Sequence, residues 1–219
     1  MKLNIIYYIF INPQRYKVIV EGQLNDLKKC NMDYSNLFIH ICSFQKEYIH
    51  ECKEFIDSLQ LKNIIYSESY LNLYEYPGLK LLYDLSQTRK DEYFLYFHSK
   101  GMIFNYSLTI DRDDFEKTTL RATFYYWKEA MNIFKNIINV NKIGLWPSCE
   151  GYIWVNFFYI RGNYLTIPPI ITNDRWWYET YIGNNSYLDC YSLTKNKIIF
   201  TNPDDIKDDN LDNILKSYN

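Results

Sequence analysis

Glycine and histidine are scarce in this 219-residue chain, seven and three respectively, and their scarcity removes several chemistries at once. No GxGxxG follows the first apolar run and no GxxxxGK[ST] occurs. A dinucleotide fold or a P-loop therefore lacks the glycines that let backbone approach a phosphate. HExxH and GxSxG are absent too, which excludes the usual zinc-protease and serine-hydrolase arrangements. The five cysteines, Cys30, Cys42, Cys52, Cys149 and Cys190, include no CxxC. Their odd number and wide spacing suit buried thiols in a reducing compartment. There is no basic excess: a formal net charge of -2 and a pI near 5.9 argue against a general nucleic-acid binder. No apolar run is long enough to span a bilayer. The opening MKLNIIYYIF, with one lysine, reads as a first buried strand and not as a secretory signal.

What is present is apolar and aromatic side chain, 47% and 19% of residues, too much for a disordered chain and enough for one domain with its own core. Eighteen lysines stand against six arginines, beside many Asn, Ile and Tyr. That bias reads as drift in an A+T-rich genome, so each arginine carries more information than usual.

Residues 3–11 form a continuous apolar run ended by Asn12-Pro13, as a strand covered on both faces does. Tyr16, Val20, Leu24 and Leu27 predict a helix over 14–30, in which Gly22 costs about 1 kcal/mol relative to alanine. A strand over 36–43, a helix over 46–59, a strand over 63–67, a helix over 79–89 and a strand over 92–98 follow. This alternation is the signature of βαβ units on a mostly parallel sheet. Beyond Gly101 the rhythm changes. A polar and aromatic stretch over 102–114 leads to a long helix over 115–138 and a strand over 142–146. A dense aromatic run over 151–161, a short helix over 174–183 and a last strand over 197–200 precede an Asp/Asn-rich tail.

Three segments carry chemistry. Tyr96-Phe97-His98-Ser99-Lys100-Gly101 falls at the carboxyl end of the fourth strand, where open α/β sheets bind ligands. A histidine and a lysine beside a glycine there suit phosphate or sugar oxygens; a strand ending in a polar turn reads the same way. Asp111-Arg112-Asp113-Asp114 offers spaced carboxylates for a divalent cation on a diphosphate, and equally an N-cap before Phe115. Asp174-Arg175-Trp176-Trp177-Tyr178-Glu179 sets a carboxylate among aromatic faces, as a sugar hydroxyl requires. Arg175 and Glu179, four apart, also suit an ordinary helical ion pair. In the run over 154–161 most aromatics are core, and Asn156 and Arg161 are the candidates to face a pocket. His40 and His50 read as structural, and a thiol nucleophile at Cys149 finds no histidine near it in sequence.

Together these segments resemble a family of small GT-A-type, sugar-nucleotide-dependent glycosyltransferases of bacterial polysaccharide clusters and giant viruses. The family's [YF]-x-H-[ST]-K-G strand end is matched by Tyr96 to Gly101. Its [GN]-N-F-[FWY]-[WY] stretch is matched by Asn156-Phe157-Phe158-Tyr159. Its closing R-x-x-[YFW]-E-x-[WY]-[IL]-G is matched by Arg175 with Tyr178-Glu179-Thr180-Tyr181-Ile182-Gly183. The Arg121–Trp127 region, Glu21-Gly22-Gln23-Leu24 and the Glu75-Tyr76-Pro77-Gly78-Leu79 turn also fit, so the likeness covers nearly the full length.

The resemblance implies a single α/β, GT-A-like domain with a mostly parallel central sheet flanked by helices and a mixed C-terminal half. Residues 1–101 would bind the nucleotide sugar, 102–201 would shape the acceptor side, and 202–219 would form an acidic tail. The implied activity is inverting transfer of a sugar to a carbohydrate hydroxyl in glycan synthesis, in the cytoplasm (the host's, if viral). Glu179 would be the acceptor base, and His98, Lys100, Asn156 and Arg175 would hold the donor. Asp111 and Asp113 would hold Mn²⁺ or Mg²⁺. The implied partners are a nucleotide sugar and a glycan acceptor, with no nucleic acid and no transmembrane segment. This chain departs from the pattern in two places. No DxD stands where HSKG stands, and Val155 replaces a common glycine, which predicts a different local turn. A non-catalytic carbohydrate-binding module and a nucleotide-sugar hydrolase remain open as alternatives.

Overall fold

The computed structural model describes residues 1–99 and 112–194. Seven strands form one sheet in the order β3-β2-β1-β4-β6-β5-β7. They are β1 (Leu3–Phe10), β2 (Asn36–Cys42), β3 (Ile64–Ser69), β4 (Tyr93–His98), β5 (Lys142–Gly144), β6 (Phe158–Arg161) and β7 (Cys190–Ser192). β1 pairs in parallel with β2 and β4, and β2 with β3. β6 alone runs against its neighbours β4 and β5, and β5 and β7 are again parallel. The helices are α1 (Tyr16–Lys29), α2 (Lys46–Ser58), α3 (Tyr76–Thr88), α4 (Asp114–Tyr125), α5 (Trp127–Asn136) and α6 (Arg175–Thr180). This is the expected α/β architecture, a mixed and mostly parallel sheet flanked by helices.

The unbroken apolar run of β1 follows from cover on both faces. Tyr7 points to α1, where its hydroxyl donates to Gln23 Oε1, and its ring stacks on Phe97 at 4.3 Å. Tyr8 points the other way, under α3. A side chain at Gly78 of α3 would place its Cβ 2.6 Å from Tyr8 Cβ and 2.9 Å from Tyr96 Oη. Glycine at 78 is thus what lets α3 lie down on β1 and β4. α3 also begins earlier than the periodicity predicts, because Pro77 and Gly78 fit inside its first turn, where proline's missing N–H has no partner to lose.

Two expectations, the long helix and the length of the strand at 142–146, need correction. The long helix over 115–138 is two helices that break at Tyr126 (φ -83°, ψ 14°). α4 buries Leu120 and Phe124 while α5 buries Ala130, Ile133 and Phe134, with Phe134 stacked on Tyr93 at 4.9 Å. The aromatic run over 151–161 is not one element: a 3₁₀ turn (Trp154–Asn156) precedes the short β6. The strand at 142–146 is shorter than expected, and it is extended sideways by β7, three residues that lack any apolar run to announce them. The strand expected over 197–200 and the tail lie outside the described residues. Among the described residues no helix is long and apolar enough to cross a membrane.

Candidate functional site

The strand order reverses between β1 and β4, and the crevice at their carboxyl ends is where an open α/β sheet binds ligands. Tyr8 and His98 are register partners there. Ser99 stitches the two strand ends together: its N–H donates to Tyr8 O (2.9 Å) and its Oγ accepts from Phe10 N (3.0 Å). The strand-end motif thus sits where the sequence reading placed it. Lys100 lies outside the described residues.

Around His98 the fold assembles groups from four distant stretches. Glu75, just before α3, lies with Oε1 3.7 Å from His98 Nδ1. Its Oε2 accepts from Asn156 Nδ2 (2.9 Å) and from Tyr96 Oη (3.4 Å). Asn156 Nδ2 also donates to Tyr178 O at 3.2 Å, and Glu179 follows directly. His98 Nε2 lies 3.3 Å from Val155 O, with the Phe157 ring 5.5 Å away. Asn156 and Glu179 are buried, and the His98 and Glu75 side chains are only 12% and 13% exposed. Two predicted residues, His98 and Asn156, therefore come together on Glu75 although they are far apart in sequence, and Glu179 is close enough to act on Tyr96.

The turn that delivers Asn156 is strained. Val155 has φ 75° and Asn156 φ 54°, the left-handed region that a β-branched residue rarely occupies. A different turn was expected because valine replaces glycine. Valine instead adopts the glycine-like conformation.

Two buried phenols line the crevice. Burial raises the Tyr96 pKa well above the usual phenol range, aided by Glu75, Tyr8 and Glu179. Burial also raises Tyr8, with Cys42, Glu75 and Tyr178 contributing. Both are therefore protonated donors. The Tyr8 hydroxyl lies beside the Cys42 thiol, yet no hydrogen bond of sound geometry reaches it among the described residues.

Of the Asp111–Asp114 segment, residues 112–114 are described. Arg112 turns inward, where Nε and Nη2 hold Glu116 (2.8 Å each) and Nη1 holds Asp26 (2.7 Å). Asp26 also accepts from Arg121 (2.9 Å), and Gln23 bridges Glu116 Oε1 (2.8 Å) to His98 O (3.3 Å). Asp113 is exposed and caps α4, its Oδ1 accepting from Glu116 N at 3.0 Å. Asp111 lies outside the described residues, and among those described no group of three His, Cys, Asp or Glu could hold a metal ion.

Arg175 opens α6 and is exposed, one turn before Glu179. Arg161, a candidate to face the pocket, lies at the opposite end of the sheet, because antiparallel β6 carries it to the start of β4 beside Tyr93. There its guanidinium donates to Val140 O, Phe134 O and Ile137 O, closing the end of α5. His40 is structural, held between Ser67 Oγ and Ser69 Oγ at 2.9 Å each.

Sequence reasoning named Glu75 only as part of a turn and Tyr96 only as the first residue of the strand-end motif, and missed Tyr8 and Lys142. Lys142 on β5 is fully buried, donating to Tyr164 Oη (2.8 Å), Ile182 O (3.2 Å) and Asn184 Oδ1 (3.3 Å), with Asp189 at 3.0 Å. It fastens the chain leaving α6 to the sheet. A lysine inside a short strand was its only signal.

No protein-family model and no curated protein matches this chain. Among solved structures it is similar to a 4-diphosphocytidyl-2C-methyl-D-erythritol synthase, with 8% identity over 94% of this chain and 96% of that one and a TM-score of 0.42.

Proposed function

We propose that this protein is a glycosyltransferase that moves a sugar from a nucleotide-sugar donor to a carbohydrate hydroxyl. One observation carries the reading: His98 and Asn156, from two motifs of the resemblance, meet on Glu75 beside the carboxyl ends of β1 and β4, and Glu179, from the third, is close enough to act on the Tyr96 phenol of the same crevice. The buried Tyr8 phenol, whose nearest polar neighbour among the described residues is the Cys42 thiol, a weak acceptor, offers a donor that a ligand oxygen would satisfy better.

In this reading Glu179 takes the proton of the acceptor hydroxyl as that oxygen attacks the anomeric carbon, and the bond to the diphosphate breaks with the electron pair leaving on phosphate oxygen. One such base fits a single, inverting displacement. Lys100 and Arg175 bear the charge that develops on the diphosphate. In a metal-assisted form Asp111 and Asp113 would hold Mn²⁺ or Mg²⁺, which would supply positive charge to the diphosphate leaving group; Asp113 Oδ1 also caps α4.

Ligand-observed NMR with UDP-, GDP-, dTDP- and CMP-sugars, each with and without Mn²⁺, tests the donor site. Selective saturation of one nucleotide sugar supports the proposal. A requirement for Mn²⁺ assigns Asp111 and Asp113 to the metal, and binding without it gives their part to Lys100 and Arg175. Folded protein that binds none of the panel sinks it. Glu179→Gln separates a transferase from a binding module: turnover falls by about 10²-fold or more while donor binding persists. A hydrolase would release sugar equally fast without an acceptor.

A further inference from the structure

We infer that Glu75 is the positioning residue of this site: it holds His98 as the imidazolium and, through His98 and Asn156, clamps the strained turn that leads to Glu179. Both ring nitrogens of His98 face acceptors, Nδ1 the carboxylate of Glu75 at 3.7 Å and Nε2 the carbonyl of Val155 at 3.3 Å. A neutral imidazole carries one N–H and one lone pair. With Nε2–H given to Val155 O, a second proton on Nδ1 makes the ring a cation at ion-pair distance from the Glu75 carboxylate.

The surroundings support a charged pair. A buried ion pair survives only when its remaining hydrogen-bonding capacity is met, and Glu75 Oε2 has Asn156 Nδ2 and Tyr96 Oη. β1 contributes Tyr8, β4 contributes Tyr96, and α6 contributes Tyr178 and Glu179. On the far face, Gln23 joins His98 O to Glu116 and Arg112. Glu75 lies within ion-pair distance of the ring, at 3.7 Å.

The clamp closes on the turn from both sides. His98 holds Val155 O, Glu75 holds the Asn156 side chain, and both holds end on the same carboxylate. Left-handed backbone at a valine and an asparagine persists only where the surroundings enforce it. Asn156 then reaches Tyr178 O, so the placement of Glu179 depends on Glu75. Its service to sugar transfer rests on the function proposed above; the proton state of His98 does not.

Ring-nitrogen NMR of the full-length protein, without nucleotide or sugar, tests this, and three histidines keep the spectrum simple. Both His98 nitrogens are expected to carry protons at pH 7. Glu75→Gln, of the same size, lowers the His98 titration midpoint by about one pH unit or more, and Glu75→Asp by less. A wild-type His98 ring with one proton at pH 7 overturns the proposal, whether or not the variants fold. Equal midpoints in wild type and Glu75→Gln overturn it as well. Failure of the same samples to bind any nucleotide sugar would remove the transferase reading and leave the clamp intact.

Discussion

Arg112 lies across the bare backbone of Gly22. A Cβ at Gly22 would stand 2.5 Å from Arg112 Cδ and 2.7 Å from Nη1. The guanidinium cannot retreat, because Asp26 and Glu116 hold it in a pair of ion pairs whose side chains are 3–4% exposed. A glycine that looks like a weakness in α1 is thus the floor on which α4 docks, and the segment after it keeps the end of β4 in place through Gln23.

Gly22→Ala follows as a first prediction. Helix propensity favours the alanine by about 1 kcal/mol, but displacing a buried, paired arginine costs about 3–5 kcal/mol when the pair is broken outright. We expect a net loss of roughly 1–3 kcal/mol in urea denaturation. A variant as stable as wild type would show that Arg112 can shift without cost.

Val155 supplies a second. Strain at a left-handed valine is worth about 1–3 kcal/mol, close to what burial of its side chain returns, about 1.5–3 kcal/mol. Val155→Gly should therefore stay within about 1 kcal/mol of wild type. Val155→Ala loses two buried methyl groups, about 1.6 kcal/mol, and keeps a Cβ in the same conformation. The expected order of thermal midpoints is Gly above Ala; the reverse order would reject the strain.

Tyr8→Phe tests the buried phenol. Among the described residues its hydroxyl has only the Cys42 thiol, a weak acceptor, beside it, so stability should hold within about 0.5 kcal/mol or rise. If a ligand oxygen takes that donor, affinity for the bound nucleotide sugar falls by about 2- to 13-fold, the worth of one hydrogen bond. Unchanged affinity by titration calorimetry would place the ligand elsewhere.

His40 gives the pH dependence. Burial lowers its pKa to about 4, against a small opposing pull from Glu68. As pH falls below about 6.5 the unfolded chain takes the proton first, so this contribution is whole above that pH and is lost progressively down to about 4. The loss is on the order of 3 kcal/mol. Urea midpoints compared between wild type and His40→Gln across pH 7 to 4 should show a shallower decline in the variant. Parallel curves would refute it.

The first half of the fold was legible because parallel strands covered on both faces are written as unbroken apolar runs, and helices with one buried stripe as a three-to-four period. Both are local signals. They gave β1 to β4 and α1 to α3 within a few residues. In the second half, Tyr126 breaks a continuous period and β7 has no period at all, since its place depends on an open edge of β5 that only the folded sheet creates.

The site divides in the same way. Chemistry that a single segment can display, a histidine at a strand end or a glutamate one turn from an arginine, was visible in the sequence. Glu75 was not, because a carboxylate gains its meaning from Asn156, Tyr96 and His98, which approach from 81, 21 and 23 positions away. Arg161 was misjudged for the matching reason: direction along a strand decides which end of the sheet a side chain reaches, and β6 runs backwards. The sequence by itself determined which apolar residues of the first half are buried and that β1 to β4 are parallel, since hydrophobic periodicity encodes burial. Tertiary structure alone decided which buried polar groups meet, because a hydrogen bond depends on positions in space that sequence order leaves open.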